Sequence, residues 1–224
     1  MISGRAEIRE AYRNEAVARQ YVEARFREPL GAMLHARQVA ALTRIIRAQR
    51  PRRVLEIAPG PGRLTVDVAP AVEGQTVLVE ASAEMLGEAR RRLAGVVRRP
   101  DLLQGDAFHL PFGRAFDLVY SFRLIRHFVA SERAGLYREI ARVLRPGEYE
   151  HFDALTRPDV LAAELQHAGL ELLSLEGVQR NYPALSRIQT LIAPRSRPVA
   201  RIAIEITDRL GGAPLEWIVT CRRR

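Results

Sequence analysis

Residues 54–65 read Val54-Leu55-Glu56-Ile57-Ala58-Pro59-Gly60-Pro61-Gly62-Arg63-Leu64-Thr65. A short apolar run ends in an acidic residue, and a loop of prolines and glycines follows before a helical pattern resumes. This order predicts a buried parallel strand, a tight turn and a helix N-terminus, which is where α/β folds hold nucleotide-like ligands. Gly60 and Gly62 lack a Cβ atom, so the backbone can turn sharply there and approach a ligand closely.

Two nucleotide-binding patterns share this layout. A dinucleotide fingerprint, G-x-G-x-x-G, needs its last glycine for close helix–strand packing, and Thr65 occupies that position here. The other pattern is an acidic residue followed by three glycines at alternate positions, which Glu56, Gly60 and Gly62 match. Ala58 replaces the first of these glycines, a substitution that is tolerable unless the position requires a positive φ.

The segments that follow repeat the arrangement of a strand ending in an acid. Residues 76–79 form a second apolar run that ends in Glu80, and Asp106 falls where a third strand should end. Residues 115–122 predict a fourth strand, and the apolar spacing over residues 136–144 predicts a helix. Any one of these acids could instead be a strand-end cap or turn residue. Acids at successive strand ends lie at one edge of the sheet, so together they favour a shared ligand. The Glu80 carboxylate, for example, can accept hydrogen bonds from both ribose hydroxyls of an adenosine.

Together these segments resemble class I S-adenosylmethionine (SAM)-dependent methyltransferases of the type 11 group, which includes the quinone-biosynthesis C-methyltransferases. The matching residues cover about 50 to 148 and read E-I-A-P-G-P-G, V-L-V-E-A-S-A-E-M-L, G-D-A-F-H-L-P-F, F-D-L-V-Y-S-F and I-A-R-V-L-R-P-G. The resemblance implies an α/β fold with a doubly wound, mostly parallel seven-stranded sheet, N-terminal helices and a helical insertion before the last strand. It also implies that SAM is the cofactor and S-adenosyl-L-homocysteine (SAH) the product.

The resemblance also implies a cofactor role for each strand end. Glu56 is expected to face the methionine end of the cofactor, Glu80 its ribose, and Asp106 with Ala107 its adenine. The full set of expected cofactor-binding residues is Glu56, Ala58, Pro59, Gly60, Gly62, Glu80, Ala81, Met85, Asp106, Ala107 and Ser121.

The segment after the fourth predicted strand is expected to lie near the transferred methyl group. A sulfonium methyl is already electrophilic, so the protein mainly aligns the acceptor and excludes water, and a base is needed only if the nucleophile must lose a proton. His127 is the predicted catalytic base, and a locally hydrogen-bonded structural histidine is the alternative. Tyr21, His35 and Phe122 are the predicted residues of the acceptor pocket. No His/Cys cluster has metal-ligand spacing, so no metal is predicted.

The chain divides into a helical segment over residues 1–50, predicted to act as a lid, and a SAM-binding domain over residues 51–224. Within the domain, residues 181–211 predict two helices inserted before the last strand. In the N-terminal segment, an early helical stretch is expected to end near Pro29-Leu30-Gly31. After Gly147 the sequence alternates with polar residues, whereas a strand buried on both faces should be almost continuously apolar. Two explanations stay open: an unusually polar fifth strand, or a missing segment that leaves this strand degenerate.

Composition sets further limits on function. Lysine is absent, so all 35 Lys/Arg positions are arginine, against 26 acidic residues and a net charge of +9. A basic surface fits RNA, but the arginines are spread along the chain and no Asn/Asp-Pro-Pro-aromatic motif follows the fourth predicted strand.

A single cysteine, Cys221, excludes an intramolecular disulfide and favours a reducing compartment. The N-terminus has no apolar leader and no segment approaches membrane-spanning length, so a cytoplasmic location is predicted.

Three functions are compatible with these observations. The leading prediction is methyl transfer from SAM to an oxygen, nitrogen or carbon nucleophile of a small-molecule acceptor. The alternatives are an RNA methyltransferase and a catalytically defective SAM-binding protein. A homodimer is also compatible with the sequence.

Overall fold

The strands of the described part of the chain form one sheet. The computed structural model describes residues 26–224. Its strands are β1 (Arg53–Ile57), β2 (Gln75–Glu80), β3 (Asp101–Gln104), β4 (Phe116–Ser121), β5 (Leu144–Ala154), β6 (Leu170–Arg180) and β7 (Pro214–Arg223). The seven-stranded sheet has the order β3-β2-β1-β4-β5-β7-β6. Strands β1 to β5 pair in parallel, and β7 is antiparallel to both of its neighbours. The predicted fold class is therefore confirmed.

Helices connect the strands. They are α1 (Pro29–Gln49), α2 (Thr65–Val68), α3 (Ala83–Arg92), α4 (Ala130–Val143), α5 (Pro158–His167), α6 (Tyr182–Leu191) and α7 (Arg197–Arg209). Two short 3₁₀ segments cover Ala69–Ala71 and Ile125–His127. Within the described residues, no helix combines the length and the apolar character that crossing a membrane requires.

Helix α1 begins at Pro29, so Pro29-Leu30-Gly31 form its first turn. Phe26 is helical and residues 27–28 form a bend before α1, which agrees with the prediction that an earlier helix ends near Pro29. Proline suits this position because its fixed φ is helical and its missing N–H needs no partner in the first turn. Apart from Phe26, the earlier stretch that was expected to be helical lies outside the described residues.

Both faces of the sheet are covered, as a parallel sheet requires. Successive residues of β1 point to opposite faces, so Val54 packs with Leu42 of α1 while Leu55 packs in the cluster that contains Leu136 of α4 and Leu161 of α5. All five of these side chains are buried. This two-sided burial holds β1 and the loop that follows it in a fixed position at the centre of the sheet.

Strand β5 is the polar strand, and it is complete. From Tyr149 to Phe152 it pairs with β4, and from Tyr149 to Ala154 it pairs with β7. The register with β4 shifts between Phe116 and Leu118, where the chain leaves α4 and passes through Gly147. The fifth strand is therefore present and polar, and it is paired on both sides.

The polar side chains of β5 are buried against β7. Glu150 and His151 are fully enclosed, and His151 Nδ1 lies 2.9 Å from Thr220 Oγ1. The Cys221 thiol donates to Glu150 Oε2 across 3.4 Å. Burial raises the pKa of Glu150 to about 8 and lowers the pKa of His151 to about 3, so both side chains favour their neutral forms. Neutral forms limit the cost of placing polar groups in the core.

The antiparallel edge carries the helical insertion. In β7, Trp217 pairs with Ala154 of β5 on one side and with Gly177 of β6 on the other. Helices α6 and α7 lie between β6 and β7 in sequence and pack on α1. Arg37 of α1 lies 3.3 Å from both Glu205 and Asp208 of α7, which ties the N-terminal helix to the insertion.

Candidate active site

A cleft opens at the carboxyl ends of the central strands. This is the edge at which open α/β sheets bind ligands. One side consists of residues at or just after the ends of β1, β2 and β3: Ala58, Gly60, Val79, Glu80, Ala81, Ser82, Met85, Gly105, Asp106 and Ala107. The other side consists of Phe108 and of residues that follow β4: Phe122, Arg123, Leu124, His127 and Phe128.

The loop after β1 has a left-handed backbone at alternate residues. The φ angles are +52° at Ala58, +56° at Gly60 and +72° at Gly62. The first position therefore does require a positive φ, and an alanine there is strained where a glycine would not be. The Ala58 N–H donates to the Val79 carbonyl across 2.8 Å, which fixes the start of the loop beside the end of β2.

The Glu80 carboxylate connects this loop to the end of β2. Its Oε2 accepts a hydrogen bond from the Gly60 N–H and its Oε1 accepts one from the Ser82 N–H, each across 2.9 Å. Burial raises the pKa of Glu80, and the backbone hydrogen bonds from Ser82, Gly60 and Ala81 oppose this shift. Each carboxylate oxygen can accept more than one hydrogen bond, so Glu80 can still receive hydroxyl donors from a ligand in the cleft.

An aromatic wall lies next to the end of β3. Asp106 Oδ1 accepts a hydrogen bond from the Phe108 N–H across 3.0 Å, which turns the chain so that Phe108 faces the cleft. The rings of Phe108 and Phe128 meet edge to face with centroids 5.0 Å apart. The cleft thus offers a flat apolar ligand a surface close to an acidic side chain.

Glu56 lies beside the cleft and does not line it. Its Oε2 accepts hydrogen bonds from the Thr65 hydroxyl and from the Tyr120 hydroxyl, the latter across 2.8 Å. Burial raises the pKa of Glu56 to about 7, although both hydrogen bonds lower it. Glu56 of β1 is therefore hydrogen-bonded to Thr65 of α2 and to Tyr120 of β4 in the interior of the protein. Its expected role at the methionine end of the cofactor stays a prediction.

The loop after β4 is held by a buried ionic cluster. The Arg123 N–H donates to Asp153 Oδ1 across 2.6 Å. Arg126 Nη2 lies 2.6 Å from Glu216 Oε2 and 3.4 Å from Asp153 Oδ2. Burial and the adjacent Asp153 raise the pKa of Glu216 to about 8, whereas Arg126 lowers it. The cluster therefore anchors the loop that carries His127 to the ends of β5 and β7.

Comparison with known proteins identifies the family to which this site belongs. Residues 54–147, which contain the glycine loop, Glu80 and Asp106, match the family model described as a methyltransferase domain. Residues 54–147 therefore form a methyltransferase domain. No curated protein matches the chain.

Solved structures share the fold of this methyltransferase. The magnesium protoporphyrin IX methyltransferase of Synechocystis PCC 6803, with bound SAM, has a TM-score of 0.68 at 14% identity, over 98% of this chain and 96% of its own. The N-methyltransferase NodS of Bradyrhizobium japonicum WM9, in complex with SAH, has a TM-score of 0.63 at 14% identity, over 92% and 98%. The cyclase SpnF has a TM-score of 0.64 at 22% identity, over 84% and 80%. At these identities the likeness shows the fold alone, and the acceptor must be inferred from the site.

The structure brings many of the predicted site residues of the methyltransferase together. The cleft is lined by Ala58, Gly60, Glu80, Ala81, Met85, Asp106, Ala107, Phe122 and His127. Four predicted cofactor residues are not among the lining residues: Glu56, Pro59, Gly62 and Ser121. Tyr21 lies outside the described residues. Within the described residues, no cluster of His, Cys, Asp and Glu could hold a metal ion.

His35 lies away from the cleft. Its Nε2 is 2.9 Å from Asp67 Oδ2, and its Nδ1 contacts Arg63. Burial, with the Arg63 charge, lowers the pKa of His35, while Asp67 raises it. Its predicted place in the acceptor pocket stays a prediction, since any such role needs a ligand that extends beyond the cleft.

Sequence reasoning missed the residues that complete the second wall. Arg123, Leu124 and Phe128 line the cleft beside the predicted Phe122 and His127. Their position directly after a predicted strand was a usable signal, because all ligand-facing loops of this fold follow strand ends. The anchor of this loop, Asp153 with Glu216, had no such signal, because it depends on the pairing of β5 with β7.

Proposed function

We propose that the protein transfers a methyl group from SAM to an oxygen, nitrogen or carbon nucleophile of a small-molecule acceptor. The observation that carries this proposal is the cleft, in which the Glu80 carboxylate and the glycine loop occupy one wall and a mainly apolar second wall faces them. Such a cleft suits a compact acceptor better than a polymer, because most of the surface of a small ligand can be buried there.

The residues of the first wall fit the cofactor. Glu80 is available to the two ribose hydroxyls, and Asp106 lies at the expected adenine end, with Phe108 beside it as an apolar surface. At Gly105 a Cβ atom would lie 2.9 Å from Val79 Cγ1, so any larger residue there would have to displace the Val79 side chain. When bound, the cofactor supplies an electrophilic methyl group.

The residues of the second wall would position the acceptor. Phe122, Leu124 and Phe128 are buried and apolar, so they exclude water from the reacting atoms. His127 lies on the same wall, in the 3₁₀ segment that Arg126 anchors. An imidazole in this position could accept a proton from a hydroxyl or amine nucleophile, and it is the residue we assign to that role.

The first test is calorimetric titration of the protein with SAM and with SAH. Wild type should bind both with micromolar affinity. Glu80→Ala should bind at least about a hundredfold more weakly, because two hydrogen bonds to a charged group contribute about 1.5 kcal/mol each. Glu73→Ala, which removes an exposed acid on the loop before β2, is the matched control and should bind like wild type.

An acceptor screen then tests the reaction itself. Incubation with SAM and a panel of phenols, amines, enols and carboxylic acids, followed by mass spectrometry, should yield a methylated small molecule. Methylation of RNA alone, with steeply salt-dependent binding, would replace this proposal by the RNA alternative. SAM binding without turnover on either class would instead favour a defective SAM-binding protein.

A further inference from the structure

Arg123 lies between two cavities of the molecule. It lines the cleft and also lines a second groove, which is formed by the start of α1, Gln179 at the end of β6 and Gln189 of α6. The same side chain therefore reaches both the proposed reaction site and the groove beneath α1. A ligand that extends from the cleft toward α1 has to pass this guanidinium.

The Arg123 charge is not neutralised by any of the described residues. Across residues 26–224, no carboxylate lies within ion-pair distance of its guanidinium, whereas its neighbour Arg126 is paired with Glu216 at 2.6 Å. Its Nε is buried and has no hydrogen-bond partner in that part of the chain. Glu28, an acidic residue that lines the groove, is already engaged by Arg197 at 2.6 Å and by Gln189 at 3.0 Å.

The surroundings of Arg123 hold it in place and add to the positive charge. Its backbone has φ +64° and is fixed by the N–H donated to Asp153. Its guanidinium carbon lies 5.8 Å from the centre of the Phe26 ring, and that of Arg63 lies 3.8 Å from the same centre. Two guanidinium groups therefore lie close to the ring of Phe26, which also lines the groove. A left-handed backbone costs free energy, and such strain persists where the surrounding structure imposes it.

We infer that Arg123 binds an anionic group of the methyl acceptor, a carboxylate or a phosphate ester. A guanidinium presents paired N–H donors that match the two oxygens of either group, and such charge-assisted hydrogen bonds are strongest where water is excluded. This inference rests on the proposed function and adds the substrate class. The acceptor is thus an acid whose anionic end lies at Arg123, while its nucleophile lies in the cleft beside His127.

The methionine carboxylate of the cofactor is the other anion that could reach Arg123. A pair of ligands distinguishes binding of the acceptor from binding of this carboxylate. SAH carries this carboxylate, whereas 5′-methylthioadenosine retains the nucleoside and lacks it. If Arg123 binds the acceptor, Arg123→Gln leaves the affinity for both nucleosides unchanged. If the variant weakens SAH and spares methylthioadenosine, Arg123 binds the cofactor and the inference is overturned.

Calorimetry on the SAH-saturated protein tests the anionic acceptor directly. The probes are salicylate against salicylamide and phenyl phosphate against phenol, so each pair differs in its anionic group. In wild type at least one anion should bind about tenfold or more tightly than its neutral partner, or about 1.4 kcal/mol. In Arg123→Gln the preference should fall below about twofold, and Arg123→Lys should retain part of it because the charge remains.

Arg138→Gln is the matched control, because Arg138 is an exposed arginine of α4 away from both grooves. It should keep the wild-type preference. Absence of any anion preference in wild type, or its survival in Arg123→Gln, would overturn the inference. A lower melting temperature of Arg123→Gln with an unchanged preference would also overturn it, since the arginine would then be structural. Anion preference in a protein that binds neither SAM nor SAH would refute the proposed methyl transfer and leave the anion site intact.

Discussion

Glu56 is a buried carboxyl group, and replacing it tests how burial changes its protonation and the stability of the protein. Replacing it with glutamine keeps the shape of the side chain and the oxygen that accepts from Thr65 and Tyr120, but removes the ionisable group. Wild-type Glu56 is fully buried, and burial raises its pKa from 4.5 to about 7. The folded state therefore holds a proton over a pH range in which the unfolded chain has released it.

The sign and size of the effect follow from this difference. Between about pH 4.5 and pH 7 the folded state binds more protons than the unfolded state, so the free energy of unfolding falls as the pH rises. A pKa shift from 4.5 to about 7, at about 1.36 kcal/mol per unit, gives a loss of about 3 kcal/mol that is complete above the folded pKa. Glu56→Gln should lack this loss.

Urea denaturation at a series of pH values measures this pH-dependent loss of unfolding free energy. The free energy of unfolding of wild type minus that of Glu56→Gln should fall by about 3 kcal/mol between about pH 4 and pH 8. Other buried acids titrate in both proteins, so the difference isolates Glu56. Glu73→Gln, an exposed control, should follow the wild-type profile throughout. Parallel profiles for wild type and Glu56→Gln would refute the buried, proton-holding role of this residue.

Three further predictions concern strain, charge and burial. Ala58→Gly should raise the free energy of unfolding by about 0.5–1 kcal/mol in urea denaturation, because relief of a left-handed alanine exceeds the added freedom of the unfolded chain. Arg126→Gln should lower the free energy of unfolding by about 3–5 kcal/mol, because the buried acids Asp153 and Glu216 would lose their neighbouring cation. Cys221 should react with a thiol reagent only after denaturant is added, because its side chain is fully buried and burial raises the pKa of the thiol.

The parts of the site that the sequence predicts are those set by short segments of the chain. The acid at the end of β2 and the glycines after β1 are set by short-range geometry, so the sequence pattern alone predicts that Glu80 and Gly60 lie at one edge of the sheet. The difference between Glu80 and Glu56 was harder to foresee. Glu80 is the last residue of its strand, whereas Glu56 is one residue short of the end of β1, and alternation turns its side chain toward Tyr120.

Long-range pairing accounts for what the sequence could not predict. The polarity of β5 suggested a defect, yet buried polar groups of this strand find neighbours on β7, as His151 does at Thr220. The anchor of Arg126 likewise joins residues that are far apart in sequence, Asp153 and Glu216. Such contacts depend on the register between β5 and β7, which hydrophobic patterns specify poorly when the strand itself is polar.

The position of Trp217 makes the antiparallel edge separately observable. It is the single tryptophan of the chain, and it pairs with both β5 and β6. Indole fluorescence therefore reports only on this edge, whereas far-ultraviolet circular dichroism averages over every helix and strand. Coincident urea midpoints in the two signals would mean that the parallel and antiparallel parts of the sheet unfold as one cooperative unit. An earlier midpoint in fluorescence would mean that the edge detaches first, and the loop carrying His127 would then lose its anchor while the glycine loop and Glu80 remained folded.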